Sequence, residues 1–127
     1  MFSFDANSIY LMFWHFFIQN AIVDALDSDK CTPLHYAAEG GHTASAKLLL
    51  ERKAAINALN KWKSTPLHWA ACRGHISTGK LLLLYKADRN LKNLDGRTPL
   101  EDALYWKQNE LIEAIGPETF TLRRAKK

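Results

Sequence analysis

The sequence predicts an all-α fold in which short helix–loop–helix units stack along one axis as a solenoid with short hairpin loops. A Thr-Pro-Leu triplet begins at Thr32, Thr65 and Thr98, so consecutive triplets are 33 residues apart. Residues 32–64 also match residues 65–97 at 16 of 33 positions without a gap. A fixed period of this length is typical of repeat proteins, whose units pack only against their neighbours. We therefore predict about three units and an N-terminal half repeat.

The first helix of each unit is expected to begin at the triplet. Thr32, Thr65 and Thr98 suit the N-cap position, where a hydroxyl group accepts a hydrogen bond from a free amide of the first turn. The proline that follows suits the first turn, because the N–H that it lacks has no partner there in any helix. In the first unit, Ala37 and Ala38 share one helix face with the leucine of the triplet, and their small side chains allow close packing.

A second helix and a polar loop complete each unit. Glycine is expected to end the first helix at Gly40-Gly41 and at Gly74. Three consecutive leucines, at 48–50 and again at 81–83, supply the apolar face of the second helix. The polar loop that follows contains Asp95-Gly96 in the second unit, which is a turn signal. Neither helix can bury its apolar face alone, so the units must stack.

The signature segments resemble a known family. Thr32-Pro-Leu-His-Tyr-Ala-Ala and Thr65-Pro-Leu-His-Trp-Ala-Ala, each followed by a Gly-His pair, resemble the ankyrin repeat at its most specific positions. The resemblance covers residues 21–116. It implies two antiparallel helices per unit and an outward loop that forms a hairpin with its neighbour. It also implies that a partner protein binds in a concave groove formed by the loop tips and the first helices.

This resemblance divides the chain into five parts: an N-terminal apolar helix and half repeat at 1–31, ankyrin repeats at 32–64 and 65–97, a degenerate C-terminal capping repeat at 98–116, and a basic tail at 117–127. The third unit is degenerate because Glu101 replaces the histidine and Tyr105-Trp106-Lys107 replaces the glycine turn. Two interpretations of the tail are open, a nuclear-import signal and a solvated, frayed terminus.

The N-terminal run at residues 9–18 is apolar on nearly all sides, which suits burial on more than one face. Three interpretations are open: a capping helix with a leftover apolar patch, a surface that docks on a partner, a membrane or a second copy of the chain, or the remainder of a truncated repeat. The second interpretation includes self-association. The run is too short to span a bilayer, so no transmembrane span is predicted. Asp5 precedes it, which argues against a signal peptide.

Composition, net charge and cysteine content limit the number of domains, the class of partner and the location of the protein. The 127 residues fit one domain, and 47% hydrophobic with 24% charged residues is ordinary for a soluble globular protein. The net charge of +4 favours acidic partners, but it is too small to make nucleic acid the leading one. Cys31 and Cys72 form neither a disulfide framework nor a metal-binding spacing, so a cytoplasmic or nuclear location is expected.

The histidines follow the repeat period and are expected to be structural. The resemblance implies that His35 and His68 bond the capping threonine, and that His42 and His75 bridge backbone groups of adjacent repeats. No nucleophile–base pair, glycine-rich phosphate loop or carboxylate pair has a spacing that indicates catalysis. We therefore predict that the protein is not an enzyme and has no cofactor and no metal site.

The resemblance also carries the family's contact positions onto this chain, and nine residues are predicted to bind a partner: Lys61, Trp62, Ser64, Cys72, Arg73, Asp95, Arg97, Tyr105 and Trp106. None of them is expected to be needed for packing between repeats. Trp62 lies between two lysines in a polar loop, so it is either a binding hot spot or a ring that folds back over its own core.

The predicted function is that of a scaffold, adaptor or regulatory subunit, or of a fragment of a larger ankyrin protein. The groove is expected to bind an acidic, partly apolar segment of another protein. Lys92 and Lys107 would add positive charge around it. The alternative is binding of nucleic acid or an anionic surface through the same basic and aromatic residues.

Some residues are expected to weaken the stack. Lys53 and Lys86 stand where the family usually places glycine, and a positive φ there would cost about 1 kcal/mol each. Gly79 lies inside a predicted helix, at a cost of roughly 1 kcal/mol relative to alanine. We therefore expect marginal stability and no melting transition above about 90 °C.

Overall fold

The fold is known from a computed structural model that describes residues 23–108, 110 and 112. Within this part of the chain there are five helices, α1 (Pro33–Gly40), α2 (Thr43–Glu51), α3 (Pro66–Arg73), α4 (Ile76–Leu84) and α5 (Pro99–Tyr105), and no β-strand. The first helices α1, α3 and α5 begin 33 residues apart. The prediction of an all-α repeat solenoid is confirmed.

The helices form two layers that share one core. In the first layer α3 packs against both α1 and α5, and in the second layer α2 packs against α4. Within units, α1 packs on α2 and α3 packs on α4. Leu34 and Leu67 from the first layer and Leu49 and Leu82 from the second are fully buried in one apolar cluster. Burial of one such side chain stabilises the fold by about 1.5–3 kcal/mol.

Each first helix begins with a reciprocal capping box. In α3, Thr65 Oγ1 accepts a hydrogen bond from the His68 backbone N–H (3.2 Å), and His68 Nδ1 accepts one from the Thr65 N–H (3.1 Å). In α5, Glu101 supplies the same bond with Oε1, 2.9 Å from the Thr98 nitrogen. Thr-x-x-Glu is itself a capping-box sequence, so Glu101 continues the pattern where histidine is missing.

The imidazole rings also join each unit to the next loop. His35 Nε2 lies 2.8 Å from the Ser64 carbonyl oxygen, and His68 Nε2 lies 2.8 Å from the Arg97 carbonyl oxygen. Since Nδ1 accepts from a backbone N–H, Nε2 carries the ring proton and donates it to the carbonyl. Burial lowers the pKa of both histidines, which keeps this neutral form.

The first helices end in a left-handed residue. Gly41 and Gly74 have φ values of 70° and 73°, and Lys107 occupies the equivalent position after α5 with a φ of 59°. A Cβ atom on Gly74 would lie 2.4 Å from Gln108 Oε1, so a substitution there would displace the Gln108 side chain and would also strain the left-handed backbone. Lys53 and Lys86 also have positive φ, at 69° and 72°.

A further set of bonds links neighbouring first helices. His75 Nε2 lies 2.8 Å from the Glu39 carbonyl oxygen, and Gln108 Nε2 donates to the Cys72 carbonyl oxygen at 3.3 Å. Gln108 follows His75 by one period, so an amide replaces the imidazole in the third unit. By the same register the partner of His42 would lie before residue 23, outside the described residues.

Several sequence predictions concern residues that the structure does not describe. They are the apolar helix at 9–18, most of the cap at 1–31 and the basic tail at 117–127. In the part of the chain that is described, no helix combines the length and the apolar character needed to cross a membrane.

Candidate interaction groove

The loops between units are held by one repeated side-chain bond pattern. Asn60 Oδ1 accepts from the backbone nitrogens of Trp62 and Ser64, at 2.9 and 3.0 Å. Asn93 and Asp27 make the same pair of bonds in their own loops. These residues were not predicted from the sequence, although their spacing of 33 and their short acceptor side chains were the available signal.

Neighbouring loop tips are bonded to each other through the backbone. The Lys61 N–H donates to the Asp29 carbonyl oxygen, and the Leu94 N–H donates to the Trp62 carbonyl oxygen, both at 3.0 Å. The tips therefore form a row beside the row of first helices.

The second and third tips and the helices α3 and α5 enclose an open groove with a volume of about 320 Å³. The term "groove" below means the surface lined by Trp62, Ser64, Trp69, Cys72, Asn93, Leu94, Asp95, Arg97, Asp102 and Trp106. Six of the nine predicted contact residues are among them: Trp62, Ser64, Cys72, Asp95, Arg97 and Trp106. Lys61, Arg73 and Tyr105 do not line it.

The Trp62 ring lies partly against the first helix of the following unit. Its centroid is 6.4 Å from that of Trp69, yet 42% of Trp62 remains exposed. Lys61 Nζ lies 4.7 Å from the Trp62 ring centroid. Trp62 thus has features of both predicted alternatives, because it contacts Trp69 on α3 and still offers apolar surface to solvent.

A charged cluster forms the other side of the groove. Asp102, which is 5% exposed, accepts hydrogen bonds from Arg97 Nε (2.7 Å) and Asn93 Nδ2 (3.0 Å). A second Arg97 nitrogen lies 3.3 Å from Asp95 Oδ2, and the guanidinium lies 4.1 Å from the Tyr105 ring centroid. The bond to Asp102 raises the pKa of Arg97. Asp102 was not predicted as a site residue.

The structure corrects one prediction about the contact residues. Ser64 and Arg97 were expected to be free of packing between repeats, but their carbonyl oxygens accept the histidine bonds that join adjacent units. Ser64 is also buried. The prediction was wrong for these two residues because the loop backbone forms part of the interface between units, and the Arg97 side chain also bonds Asp102 of the next unit.

Three of the predicted cations on this surface, Lys61, Arg73 and Arg97, have carboxylate partners. Lys61 Nζ lies 2.6 Å from Asp29 Oδ1, and a terminal nitrogen of Arg73 lies 3.1 Å from Glu39 Oε2. Arg97 is held by Asp102 and Asp95, as described above. Asp29, Glu39 and Asp102 belong to an adjacent unit or loop, whereas Asp95 lies in the same loop as Arg97. The positive charge of these three residues is therefore compensated within the protein.

The remaining predicted contact residues differ in what they offer. Cys72 is partly buried in the groove, its Sγ lies 3.5 Å from the Trp69 carbonyl oxygen, and burial raises its pKa, so the neutral thiol is favoured. Tyr105 and Trp106 are more than half exposed and stack edge to face at 5.1 Å between ring centroids. They supply a second aromatic surface beside Trp62.

A row of capped helix pairs, joined through their loops and presenting a groove, defines a helical-repeat module. The family model for ankyrin repeats in three copies matches residues 45–119, and that for ankyrin repeats in many copies matches residues 9–50. The chain belongs to the ankyrin repeat family. Ankyrin repeats are generally protein–protein interaction modules and are typically non-enzymatic. No curated protein matches the sequence.

Proposed function

We propose that this chain binds a partner protein in the groove and that its tryptophans are the main anchors. The observation that carries this proposal is the exposure of three aromatic side chains, Trp62, Tyr105 and Trp106, beside one concave surface. The apolar core does not include them. Exposed aromatic rings at a concave surface are the residues that most often dominate binding energy.

The size of the groove limits what it can take from a partner. Its volume of about 320 Å³ is close to the smallest ligand-sized sites, which begin near 300 Å³. A groove of this size accommodates one large side chain with its flanking backbone rather than a whole helix. Leu94, exposed at the third loop tip, extends the apolar surface at its edge.

The alternative function, binding of nucleic acid or an anionic surface, has weaker support. It needs cations that are free to contact phosphate, and Lys61, Arg73 and Arg97 each have a carboxylate within 4 Å. A binding constant that falls steeply with salt would favour this alternative, whereas binding through the tryptophans should change little. A scaffold, adaptor or regulatory role and a cytoplasmic or nuclear location stay predictions.

The proposal can be tested by photo-crosslinking from the groove and from a matched position outside it. Benzoylphenylalanine would replace Trp106 in one variant and Leu84 in the other. Leu84 is 73% exposed on α4 and does not line the groove. We expect the variant at position 106 to crosslink a discrete partner in a lysate and the variant at position 84 not to crosslink it.

A second measurement connects the crosslinked partner to the aromatic anchors. Trp62→Ala together with Trp106→Ala should weaken binding of that partner by about 2 kcal/mol, or roughly 30-fold, the lower bound for a hot spot. Far-UV circular dichroism would establish that the double variant is folded. Equal crosslinking from positions 106 and 84, or full affinity in the folded double variant, would exclude the groove as the binding surface.

A further inference from the structure

The charges that line the groove do not match the acidic partner expected from the sequence. Two carboxylates, those of Asp95 and Asp102, line it with a single cation, Arg97. Arg97 Nε is bonded to Asp102, which also accepts from Asn93. One negative charge is therefore in excess over the single cation. Asp95 Oδ2 lies 3.3 Å from a terminal Arg97 nitrogen, but the Asp95 side chain is 69% exposed, so a partner can reach it.

The aromatic rings of the groove also favour a positively charged group in a ligand. The faces of tryptophan rings attract cations, and the groove contains Trp62, Trp69 and Trp106. The protein already makes two such contacts within itself, Lys61 over Trp62 at 4.7 Å and Arg97 over the Tyr105 ring at 4.1 Å. A carboxylate placed in the groove would instead meet aromatic faces and two carboxylates, and the cation that lines the groove, Arg97, is already paired with both of them.

We propose that the partner segment inserts a lysine or arginine side chain into the groove, with its aliphatic stem on the tryptophan rings and its cationic group at Asp95. This inference depends on the proposed function, because it specifies the chemistry of the segment that the groove binds. Long cationic side chains suit such a place, since their stems are apolar and their charged heads can stay partly hydrated. An acidic segment would be limited to the outer rim, where Lys63 is exposed.

The test is a selection from a displayed library of random peptides, carried out in parallel on three folded proteins. They are the wild type, Asp95→Asn, and Glu51→Gln as a control with the same change of net charge. Glu51 is exposed at the end of α2 and does not line the groove. We expect wild type and Glu51→Gln to select peptides with lysine or arginine at one fixed position beside an apolar residue.

The selected peptides then give the quantitative readout. The leading wild-type peptide should bind Asp95→Asn about fivefold more weakly, and replacement of its basic residue by glutamine should cost about as much. When the altered peptide is measured on Asp95→Asn, the fold-loss of affinity should be smaller than the product of the two separate losses, because both changes remove the same contact.

Each alternative result has a definite meaning. Peptides that depend on Trp62 but are acidic or uncharged at the anchor position would overturn the cationic inference and leave the groove as the binding surface. Peptides that bind a folded Trp62→Ala, Trp106→Ala variant as well as wild type would overturn both proposals, and so would a library that yields no binder. An equal loss of affinity in Glu51→Gln and Asp95→Asn would show a general charge effect and would also overturn the inference.

Discussion

Replacement of His68 by alanine should be among the most damaging single changes in the stack, far more so than the same change one repeat later. The His68 ring is fully buried and makes two bonds, accepting from the Thr65 N–H and donating to the Arg97 carbonyl oxygen. His68→Ala removes both bonds at once. Glu101→Ala, its exact counterpart by register, removes only an exposed bond to the Thr98 N–H.

The magnitude follows from what each variant leaves behind. A buried donor or acceptor that loses its partner costs about 1–3 kcal/mol, and His68→Ala leaves one of each, so we expect a loss of about 3–5 kcal/mol. At position 101 water can replace the carboxylate, so the loss should stay below about 1 kcal/mol. The difference arises from burial and from the second bond of His68, to the Arg97 carbonyl oxygen, because the two side chains otherwise belong to similar capping boxes.

Urea unfolding followed by far-UV circular dichroism measures this difference directly. Small domains lose about 1–3 kcal/mol of stability per molar urea, so the midpoints of His68→Ala and Glu101→Ala should differ by about 1–2 M. Equal midpoints for the two variants would refute the reasoning, since they would show that the bond from His68 to the next loop contributes nothing beyond the cap.

Three further predictions concern charge and backbone strain. Burial lowers the pKa of His35 and His68 below the ordinary 6.5, so as the pH falls the unfolded chain binds protons before the folded protein does. The free energy of unfolding should therefore have its full value above pH 6.5 and should decrease below that pH, by at most about 1.4 kcal/mol per histidine per pH unit. Urea midpoints that do not decrease between pH 7.5 and pH 5.5 would contradict this. Lys53→Gly and Lys86→Gly should each raise the free energy of unfolding by about 0.5–1 kcal/mol, because the relief of the left-handed backbone strain exceeds the entropy cost of glycine. A lower urea midpoint in either variant would show that the lysine it replaces is unstrained. Asp102→Ala should lower the free energy of unfolding by about 2 kcal/mol through the loss of two hydrogen bonds to a buried carboxylate, and an unchanged urea midpoint would mean that the cluster is not structural.

The helical frame could be predicted because it depends on local rules. A threonine cap, a proline in the first turn and a glycine at the end specify each first helix within a few neighbouring residues, and a 33-residue period then specifies the stacking. The substitution of Glu101 for histidine could also have been interpreted this way, because Thr-x-x-Glu is a known capping pattern. Gln108 could not, since an amide in place of His75 has no local signature and its partner lies 36 residues away.

The electrostatics of the groove could not be predicted for a different reason. The sequence shows six cations around this surface, but it does not show which carboxylates the fold places beside them. Lys61 meets Asp29 and Arg73 meets Glu39, in each case about one repeat apart along the chain. Stacking in register brings such residues together, so a count of charges overestimated the free positive charge. The expectation of an acidic partner depended on that count.

Comparison of equivalent positions within the chain indicates where recognition chemistry is located. Positions that specify the frame carry the same residue in each full unit, for example the capping threonine and the leucine of the triplet. Tyr36, Trp69 and Asp102 occupy equivalent positions in the first helices of successive units, and each makes different contacts. The loop tip changes in the same way, from Trp62 to Asp95. The capping and turn residues that define each helix do not fix these side chains, so they are free to differ, and the groove between α3 and α5 lies where an aromatic unit meets a charged one. A partner that binds here must contact the aromatic and the charged surface together. A side chain with an apolar stem and a positively charged end therefore fits the groove better than a purely apolar or acidic one.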